Sequence, residues 1–526
     1  MARSRPLNQL ITTANMNWRY YLFLAFLSMG LSLSIAQFQV FPGYMDSDYY
    51  FAGGVQLAQG RGFTEPYLWN YLDDPHGLPH PSHMYWMPLS SIIAAVGMWI
   101  TRESSYQAGR LGFIFLSGLV PILTAMLAYN FNKRRDLAML SGLLAVFSIY
   151  YAPFLPVPDN YAPYLVLGGL YFLTLGSRRI YSYFVLGLIA GFLTLARSDG
   201  LLWLGLTIFI IVWRFNSERK LSTASFQLLL AGVGFLLIMG PWFWRTYSIY
   251  GTPIAPGGGR LLWLKTYDET FIYPAGQLTF QSWLSQGLGN IIFARMAALR
   301  WNLLNAFAAQ GGIFLGPFIL IGIWKYRKDE RVCVGLVAWL ALLLVMTLIF
   351  PYAGSRGGFF HSGAALQSLW WTLAPPGLEV IVTAARKRGW FTPNAFKIFG
   401  GALVGIAILM TAIIVTIRVL QNWGEGEQTY PKIEAYLQQA GIQPGDIVMD
   451  RNPPGYYVMT GQPTIVVPYG DEADIFAAAL RYQAKFLILE EAGVTGPIKS
   501  LYENKQSQHF RFMSDIDGTR IFQIQP

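Results

Sequence analysis

The sequence predicts a mainly α-helical membrane protein: a polytopic bundle of about eleven transmembrane helices followed by a C-terminal extracytoplasmic α/β domain. Of its 526 residues, 54% are hydrophobic and only 13% are charged, which is more apolar surface than a soluble core can bury. Basic residues fall in short clusters between the apolar runs, as they do in cytoplasmic loops. The net charge of +10 therefore indicates membrane topology and not nucleic-acid binding.

The first apolar run is expected to be a retained membrane anchor with its N-terminus in the cytoplasm. It follows Arg3, Arg5 and Arg19 and extends to about Phe41, and a basic flank stays on the inner side. A signal peptide is the alternative, because residues 34–36 form an acceptable cleavage pattern. We prefer the anchor, since the apolar run continues past that pattern.

The apolar stretch 87–100 decides the predicted topology, because it is short for a bilayer crossing. If it crosses, the basic cluster 133–135 lies outside. If it lies on the surface or re-enters the membrane, that cluster lies inside. We choose the second arrangement because every later basic cluster then also lies inside.

The remaining spans follow from the apolar runs between these clusters. They are predicted near 109–130, 138–154, 161–176, 180–196, 200–213, 225–246, 303–324, 332–350, 366–383 and 394–419. The basic clusters of the inside loops are 133–135, 178–179, 214–220, 325–331 and 386–388. The outside segments are 42–108, 155–160, 197–199, 247–302, 351–365 and everything after about 421.

Residues 1–420 are thus expected to form a membrane module with two large outer loops, 42–108 and 247–302. Residues 421–526 are expected to form a soluble extracytoplasmic α/β domain. Asp517-Gly518 predicts a two-residue hairpin turn, while the order of the strands is left open. The other predicted elements of the tail are helices at 430–439 and 473–482 and strands at 447–449, 464–467 and 486–489.

Two carboxylates, Asp46 and Asp48, follow the first span at the predicted outer mouth of the bundle. One interpretation is that they cap the interfacial helix that follows. The other is catalytic, because two carboxylates this close can share a metal ion or a proton. Asp159, in the second outer segment, lies on the same predicted side, where it either caps the next helix or joins Asp46.

The pattern around Asp46 resembles the first extracytoplasmic loop of the GT-C membrane glycosyltransferases. Tyr50 and Leu57 follow Asp46 at the family's spacing, and Gly-Arg-Gly-Phe at 60–63 closes the stretch. The resemblance is to protein O-mannosyltransferases and bacterial aminoarabinose transferases, which use polyprenyl-phosphate sugar donors. It implies that Asp46 is the general base and that Asp159 is the family's second outer acid. Asp48 stays a further catalytic candidate.

Two arginines at the ends of predicted spans also resemble family motifs. Arg197, in Arg-Ser-Asp-Gly, either pairs with Asp199 or contacts the donor phosphate. Arg245 follows a Pro-Trp pair and precedes Gly-Thr-Pro at 251–253, as at the start of the family's second outer loop. Its planar donor fork fits a phosphate, and the alternative is an arginine that reaches to the membrane surface.

A glycine-rich outer loop carries Arg356 and, five residues later, His361. Backbone N–H groups of glycines approach an anion closely, so these two side chains are expected to hold the leaving lipid phosphate. The alternative is a glycine-rich turn with a histidine that is satisfied internally.

Three of the five histidines, His76, His80 and His83, crowd into the first outer loop, so a metal site is conceivable there. The prolines between them prevent the regular helix that would align them. Candidate metal ligands are thus these histidines with Asp46 and Asp48. Some relatives carry a lysine for the donor phosphate where this chain has Trp86, and His83 is the candidate substitute.

The sequence contains no Walker loop, dinucleotide fingerprint or nucleophile elbow, and no inside loop is long enough to fold around a nucleotide sugar. We therefore expect an inverting GT-C enzyme that transfers a sugar from a polyprenyl-phosphate carrier to a protein, lipid or glycan acceptor outside the membrane. The alternative is a lipid-linked-sugar flippase or a non-catalytic scaffold. Inverted repeats and midplane charges, which are typical of transporters, are not evident.

Overall fold

The computed structural model describes residues 17–218 and 221–525. Within these ranges the chain forms a helical bundle whose outer loops pack on a mixed six-stranded sheet. The predicted class, mainly α with a C-terminal sheet, is confirmed. Arg3 and Arg5 of the N-terminal flank and Lys220 of the third basic cluster lie outside the described residues.

Helices dominate the chain before residue 420, and most of the strands follow it. The helices before residue 420 are α1 (Trp18–Ala36), α2 (Met45–Ala58), α3 (Leu89–Thr101), α4 (Tyr106–Gly109), α5 (Leu111–Asn132), α6 (Arg135–Val146), α7 (Tyr161–Leu175), α8 (Ile180–Ala196), α9 (Leu201–Glu218), α10 (Leu221–Tyr250), α11 (Gly257–Arg260), α12 (Phe280–Ser285), α13 (Leu288–Asn305), α14 (Gly316–Lys325), α15 (Glu330–Leu344), α16 (Pro351–Ala353), α17 (Phe359–Gly363), α18 (Gln367–Lys387) and α19 (Ala395–Val415). The later helices are α20 (Tyr430–Gln439), α21 (Pro453–Thr460), α22 (Glu472–Tyr482) and α23 (Lys499–Asn504). The strands are β1 (Thr64–Glu65), β2 (Tyr67–Leu68), β3 (His80–Pro81), β4 (Ile447–Asp450), β5 (Thr464–Val466), β6 (Ala484–Glu490), β7 (Phe510–Ile516) and β8 (Thr519–Ile524).

Six helical segments of the described chain are long and apolar enough to cross a membrane. Four further apolar helices, α3, α7, α8 and α14, are shorter. α7 is mostly buried among its neighbours, so its length is set by protein contacts and not by a lipid layer. The predicted total of about eleven spans stays a prediction. The six segments are Trp18–Ala36, Tyr106–Asn132, Ser198–Phe215, Leu221–Tyr250, Glu330–Ile349 and Ala395–Gln421.

The span predicted at 303–324 is interrupted in the structure. α13 ends at Asn305 and one π-helical turn follows it, whereas α14 begins only at Gly316. Between them, φ is +52° at Gly312 and +65° at Ile313. This left-handed backbone cannot continue a right-handed helix, so the segment bends here.

α2 opens the first outer loop and carries both candidate acids in its first turn, where a helix N-terminus favours negative charge. It packs closely on α3, because a Cβ at Gly54 would lie 2.7 Å from the Cβ of Ala94, and one at Gly53 would lie 2.6 Å from the hydroxyl of Ser91. α3 has 13 residues, a length of ~20 Å against a hydrocarbon layer of ~30 Å. This length agrees with the prediction that 87–100 does not cross the membrane.

The six-stranded sheet has the order β2-β5-β4-β6-β8-β7. Its first four strands run parallel, and β8 and β7 are antiparallel to their neighbours. β2 comes from the first outer loop, and it pairs Tyr67 with Thr464 and Leu68 with Ile465. The sheet therefore crosses the predicted domain boundary near residue 421, and backbone hydrogen bonds fix the first outer loop to the C-terminal part.

The elements predicted for the tail are all present as α20, β4, β5, α22 and β6. Asp471 and Asp474 form a reciprocal capping box at the start of α22. Asp517 and Gly518 make the turn between β7 and β8, with φ of +52° and +80°. These positive values are what a two-residue hairpin turn requires, so the predicted hairpin is confirmed.

Candidate active site

Three side chains from distant parts of the sequence meet at one end of the bundle. Asp46 lies in the first turn of α2, Asp159 lies just before α7, and His361 lies on α17. Nε2 of His361 is 3.7 Å from Oδ2 of Asp46, and Nδ1 is 3.9 Å from Oδ1 of Asp159. The predicted topology, which places both acids on one side of the membrane, agrees with this arrangement.

The two carboxyls of this cluster differ in their surroundings. The Asp159 side chain is fully buried, and it accepts hydrogen bonds from the Tyr44 hydroxyl and from the Asn160 backbone N–H, both at 2.6 Å. Burial and the charge of Asp46 raise the pKa of Asp159 to about 7. The surrounding protein raises the pKa of Asp46 to about 6, against the opposing charge of Arg197. Asp46, with 30% of its side chain exposed, is the carboxylate that an incoming molecule can reach.

His361 is a neutral imidazole. Its Nε2 accepts a hydrogen bond from the Tyr161 hydroxyl at 2.8 Å, and its Nδ1–H donates to Oδ1 of Asn160 at 2.9 Å. Burial and the nearby charge of Arg197 hold the pKa of His361 well below its usual range. A neutral ring supplies a nitrogen lone pair and no positive charge, so it suits a metal ion better than the phosphate predicted for it.

The donor set of this cluster fits a divalent cation. One ligand atom each from Asp46, Asp159 and His361 lie within 4.8 Å of one another, and the described part of the chain holds no second such group of His, Cys, Asp or Glu. Two carboxylate oxygens and a neutral imidazole nitrogen are suitable ligands for Zn²⁺ or Mn²⁺. A cation would also offset the repulsion between the two adjacent carboxylates.

The three histidines of the first outer loop do not join this group. His76 is exposed, Nε2 of His80 lies 3.1 Å from Oε1 of Glu65, and the buried His83 ring lies between two serine hydroxyls. Burial lowers the pKa of His80 to about 4 and, together with the charge of Arg245, the pKa of His83 to about 3. His83 lines the cavity described below, but its neutral ring lacks the positive charge of the lysine it was predicted to replace.

Asp48 faces away from Asp46, because positions two apart on a helix do not share a face. Nδ2 of Asn452 donates to Oδ2 of Asp48 at 3.1 Å and to Oε1 of Glu427 at 3.5 Å, so these two buried carboxyls lie side by side. Burial and the charge of Glu427 raise the pKa of Asp48 well above its usual range, and burial raises the pKa of Glu427 to about 7. A proton shared by the pair therefore joins α2 to the C-terminal part, a structural position for a residue predicted to be catalytic.

A cavity of about 1060 Å³ opens beside the cluster. Asp46 and His361 lie on its polar wall with three arginines, Arg197, Arg356 and Arg451. Its volume is at the upper end of the range for ligand cavities, ~300–1,000 Å³. The apolar wall comes from α10, α15 and the turn after α15, and it includes Met239, Trp242, Phe243, Leu342, Met346 and Phe350.

Two of the predicted phosphate partners, Arg197 and Arg356, line this cavity. Nε of Arg197 donates to Oδ1 of Asp199 at 3.0 Å, so the predicted alternative of an ion pair is realised. Arg356 is exposed, and its Cζ lies 5.0 Å from the centre of the Tyr267 ring. The described residues place no acidic oxygen within 4 Å of the Arg356 guanidinium. Gly357, with φ of +115°, forms the turn that presents it.

Arg245 is engaged elsewhere. Its guanidinium donates to the backbone carbonyls of Phe63 at 2.9 Å and Ser82 at 3.1 Å, and it lies 4.6 Å from the centre of the Trp242 ring. It is not among the residues that line the cavity. Arg245 thus fastens the first outer loop to α10, in place of the phosphate contact predicted for it.

Two residues of the cavity, Tyr267 and Arg451, were not predicted from the sequence. Arg451 directly follows β4, at the carboxyl end of a parallel strand, which is where ligands bind in open α/β sheets. The strand itself was predicted, so its carboxyl end was the available signal. Tyr267 lies in the second outer loop and no sequence motif marks it.

Comparison with known proteins supports the predicted fold. No protein-family model matches the chain. No curated protein matches it either. Solved structures do, at 10–11% identity. The oligosaccharyltransferase of Archaeoglobus fulgidus in complex with Zn and sulfate superposes with a TM-score of 0.59 at 11% identity, over 95% of this chain and 79% of that one.

Two further structures are similar over most of this chain. ArnT from Cupriavidus metallidurans, bound to undecaprenyl phosphate, gives a TM-score of 0.56 at 10% identity and covers 97% of this chain and 98% of its own. Oligosaccharyltransferase AglB from Archaeoglobus fulgidus, with an inhibitory peptide and a dolichol-phosphate, gives 0.52 at 11% identity, over 90% and 69%. These neighbours are GT-C membrane glycosyltransferases. The chain therefore has the GT-C fold that the pattern around Asp46 predicts, in a multi-pass membrane protein.

Proposed function

We propose that this protein is an integral-membrane glycosyltransferase that moves a sugar, with inversion, from a polyprenyl-phosphate donor to an acceptor on the extracytoplasmic face. The observation that carries the proposal is the single cavity in which the Asp46 cluster, unpaired positive charge and an apolar helix wall meet. Each of the three corresponds to one part of the reaction: the attacking hydroxyl, the departing phosphate and the lipid chain.

The donor is proposed to enter from the bilayer along the apolar wall of α10 and α15. Both helices belong to segments long and apolar enough to span the membrane, so a polyprenyl chain beside them exchanges one apolar environment for another. Its phosphate then lies at Arg356 and Arg197, whose guanidinium groups donate paired hydrogen bonds to phosphate oxygens. Two of the structural neighbours are described as bound to lipid phosphates, undecaprenyl phosphate and dolichol-phosphate, which fits a donor of this class.

In the transfer step, Asp46 is proposed to take the proton of the acceptor hydroxyl. The acceptor oxygen bonds to the anomeric carbon as the bond from that carbon to the phosphate oxygen breaks on the opposite side, which inverts the anomeric configuration. The departing phosphate gains negative charge, and Arg356 offsets it. Tyr161 and Asn160 fix the ring of His361, while Tyr44 and the Asn160 N–H fix Asp159, so the surroundings of Asp46 are preorganised.

Asp46, Asp159 and His361 are the residues that would hold a divalent cation. When bound, such an ion supplies Lewis-acid stabilisation of developing negative charge. The zinc in one structural neighbour fits this proposal.

Removal of divalent cations is expected to lower the transfer rate by ~100-fold, because a bound cation contributes several kcal/mol of charge stabilisation. The rate is measured after dialysis against EDTA and again after Zn²⁺ or Mn²⁺ is restored. Metal content by mass spectrometry should give one ion per chain in the wild type and none in His361→Ala, while the exposed His76→Ala keeps its ion. Full activity in metal-free protein, or an ion retained by His361→Ala, would contradict the assignment.

The function is tested with the full-length protein in liposomes that contain radiolabelled sugars on undecaprenyl phosphate and an envelope extract as the acceptor source. The expected products are free undecaprenyl phosphate and a glycoside of inverted anomeric configuration, identified by NMR. Labelled lipid that crosses the bilayer without release of free lipid phosphate would assign a flippase instead. No release and no movement with any donor would leave a scaffold.

A further inference from the structure

The parallel part of the C-terminal sheet has a topological switch point. β4 lies between β5 and β6, and all three run in the same direction. The chain leaves β4 through α21 toward β5 on one side, whereas after β6 it moves away toward β8 on the other side. Loops that diverge in this way leave a crevice at the carboxyl ends of the two strands, and such crevices are where open α/β sheets bind ligands.

This crevice opens into the catalytic cavity. The residues that follow the three parallel strands all line it: Arg451 after β4, residues 467–469 after β5, and residues 493–495 after β6. Arg451 lies directly against the loop after β6, because a Cβ at Gly493 would be 2.5 Å from its Cδ. The two strand ends of the switch point thus meet at Arg451.

The charge of Arg451 is available to a ligand. Its side chain is exposed, and in the described part of the chain no acidic oxygen lies within 4 Å of its guanidinium. Glu490, which ends β6 in the same crevice, instead accepts a hydrogen bond from the Tyr430 hydroxyl at 2.9 Å. Arg451 therefore resembles Arg356, the other arginine of the cavity that lacks an acidic partner.

Arg451 and Arg356 act on a common neighbour, Tyr267. Burial and the charge of Asp46 raise the pKa of the Tyr267 hydroxyl to about 12, and the charges of both arginines oppose that rise. Asp46, Arg356 and Arg451 thus all lie near one hydroxyl. Arg356 comes from the membrane module, whereas Arg451 comes from the C-terminal part, on the side of the cavity away from the apolar helices.

We propose that this crevice is the acceptor subsite, and that Arg451 binds an acidic group, a phosphate or a carboxylate, carried by the acceptor beside the hydroxyl that receives the sugar. The inference rests on the proposed function, because an acceptor presupposes transfer. A monophosphate donor is already served by Arg356 and Arg197 next to the apolar wall. The second source of such an anion is the outer phosphate of a diphosphate donor, and the experiment separates the two.

The test measures binding to the full-length protein in lipid nanodiscs, with and without saturating undecaprenyl phosphate. The soluble probes are glucose 6-phosphate and glucose, which differ only in an acid group, and binding is followed by isothermal titration calorimetry. Glucose 6-phosphate is expected to bind at least ~10-fold more tightly than glucose, because of a charge-assisted hydrogen bond. Arg451→Gln should abolish this preference and leave the affinity for undecaprenyl phosphate unchanged.

Two variants serve as matched comparisons, and all variants are checked for unchanged melting temperature. Arg356→Gln is expected to show the reverse pattern, with weaker undecaprenyl phosphate binding and an intact preference for the acidic probe. Arg511→Gln, on the exposed edge strand β7, should change neither. Equal binding of the two probes, or an Arg451→Gln variant that loses undecaprenyl phosphate as Arg356→Gln does, overturns the inference. Failure of the proposed function is distinguishable, since it appears as absent transfer in a wild type that still prefers glucose 6-phosphate.

Discussion

Asp46→Asn is expected to lower the rate of sugar transfer by roughly 10²–10⁴-fold, the usual range for loss of a general base. The amide has the size of the carboxylate and keeps its place in α2, but it cannot accept the proton of the acceptor hydroxyl. The rate is measured at saturating undecaprenyl-phosphate sugar, and the affinity for undecaprenyl phosphate should be unchanged. The metal content of the variant separates loss of the base from loss of a cation.

Asp48→Asn is the matched control, since it makes the same chemical change two residues away on the same helix. Asp48 already shares a proton with Glu427, so an asparagine there can donate to Glu427 and still accept from Asn452. Transfer and melting temperature should both stay close to wild type. Equal losses in the two variants would remove the distinction between the acids, and an active Asp46→Asn would exclude Asp46 as the base.

This contrast also shows how far the sequence can distinguish the acids. The spacing from Asp46 to Tyr50 and Leu57 singles out Asp46, and the basic clusters place Asp159 on the same side. Helical periodicity further implies that Asp46 and Asp48 point in different directions. What occupies the second direction depends on Glu427 and Asn452, which lie almost four hundred residues later in the chain. No local pattern contains that contact.

The arginines illustrate a second limit. An arginine at the end of a span gives the same sequence signal whether it meets a phosphate or a backbone carbonyl. Arg245 lies at such a position, and the outer loop that folds over α10 provides the carbonyls of Phe63 and Ser82 as its partners. Arg451 was missed because its importance depends on strand order, and β2 joins the C-terminal sheet from the first outer loop. Long-range packing decides both cases.

The helix boundaries show the effect of burial on a hydropathy pattern. The six segments long and apolar enough to cross a membrane each correspond to a predicted span. The span predicted at 366–383 is instead a helix, α18, whose first twelve residues are all buried and which contains Pro375 and Pro376. Neighbouring helices surround it, so its composition need not match that of a lipid-facing helix. Hydropathy alone therefore cannot settle the number of crossings.

Arg356→Gln is expected to lower kcat by ~100-fold, because a preorganised donor that meets developing charge is typically worth 10²–10³ in rate. Glutamine keeps a hydrogen-bond donor at the site but removes the positive charge and one arm of the fork. Arg356→Lys should be intermediate, since it keeps the charge without the paired donors. The measurement is kcat and KM, determined separately with a polyprenyl-phosphate sugar, alongside Arg388→Gln as an exposed control far from the cavity.

The division between kcat and KM tests what Arg356 does. The donor phosphate is charged before transfer and gains further charge as its bond to the sugar breaks, so an arginine that offsets the leaving group must affect kcat more than KM. Arg356 is suited to this role because no acid of the described chain neutralises it, whereas Arg197 already faces Asp199. A variant that raises KM with an unchanged kcat would show that Arg356 only tethers the donor, and the charge of the leaving phosphate would then have to be met by the Asp46, Asp159 and His361 site.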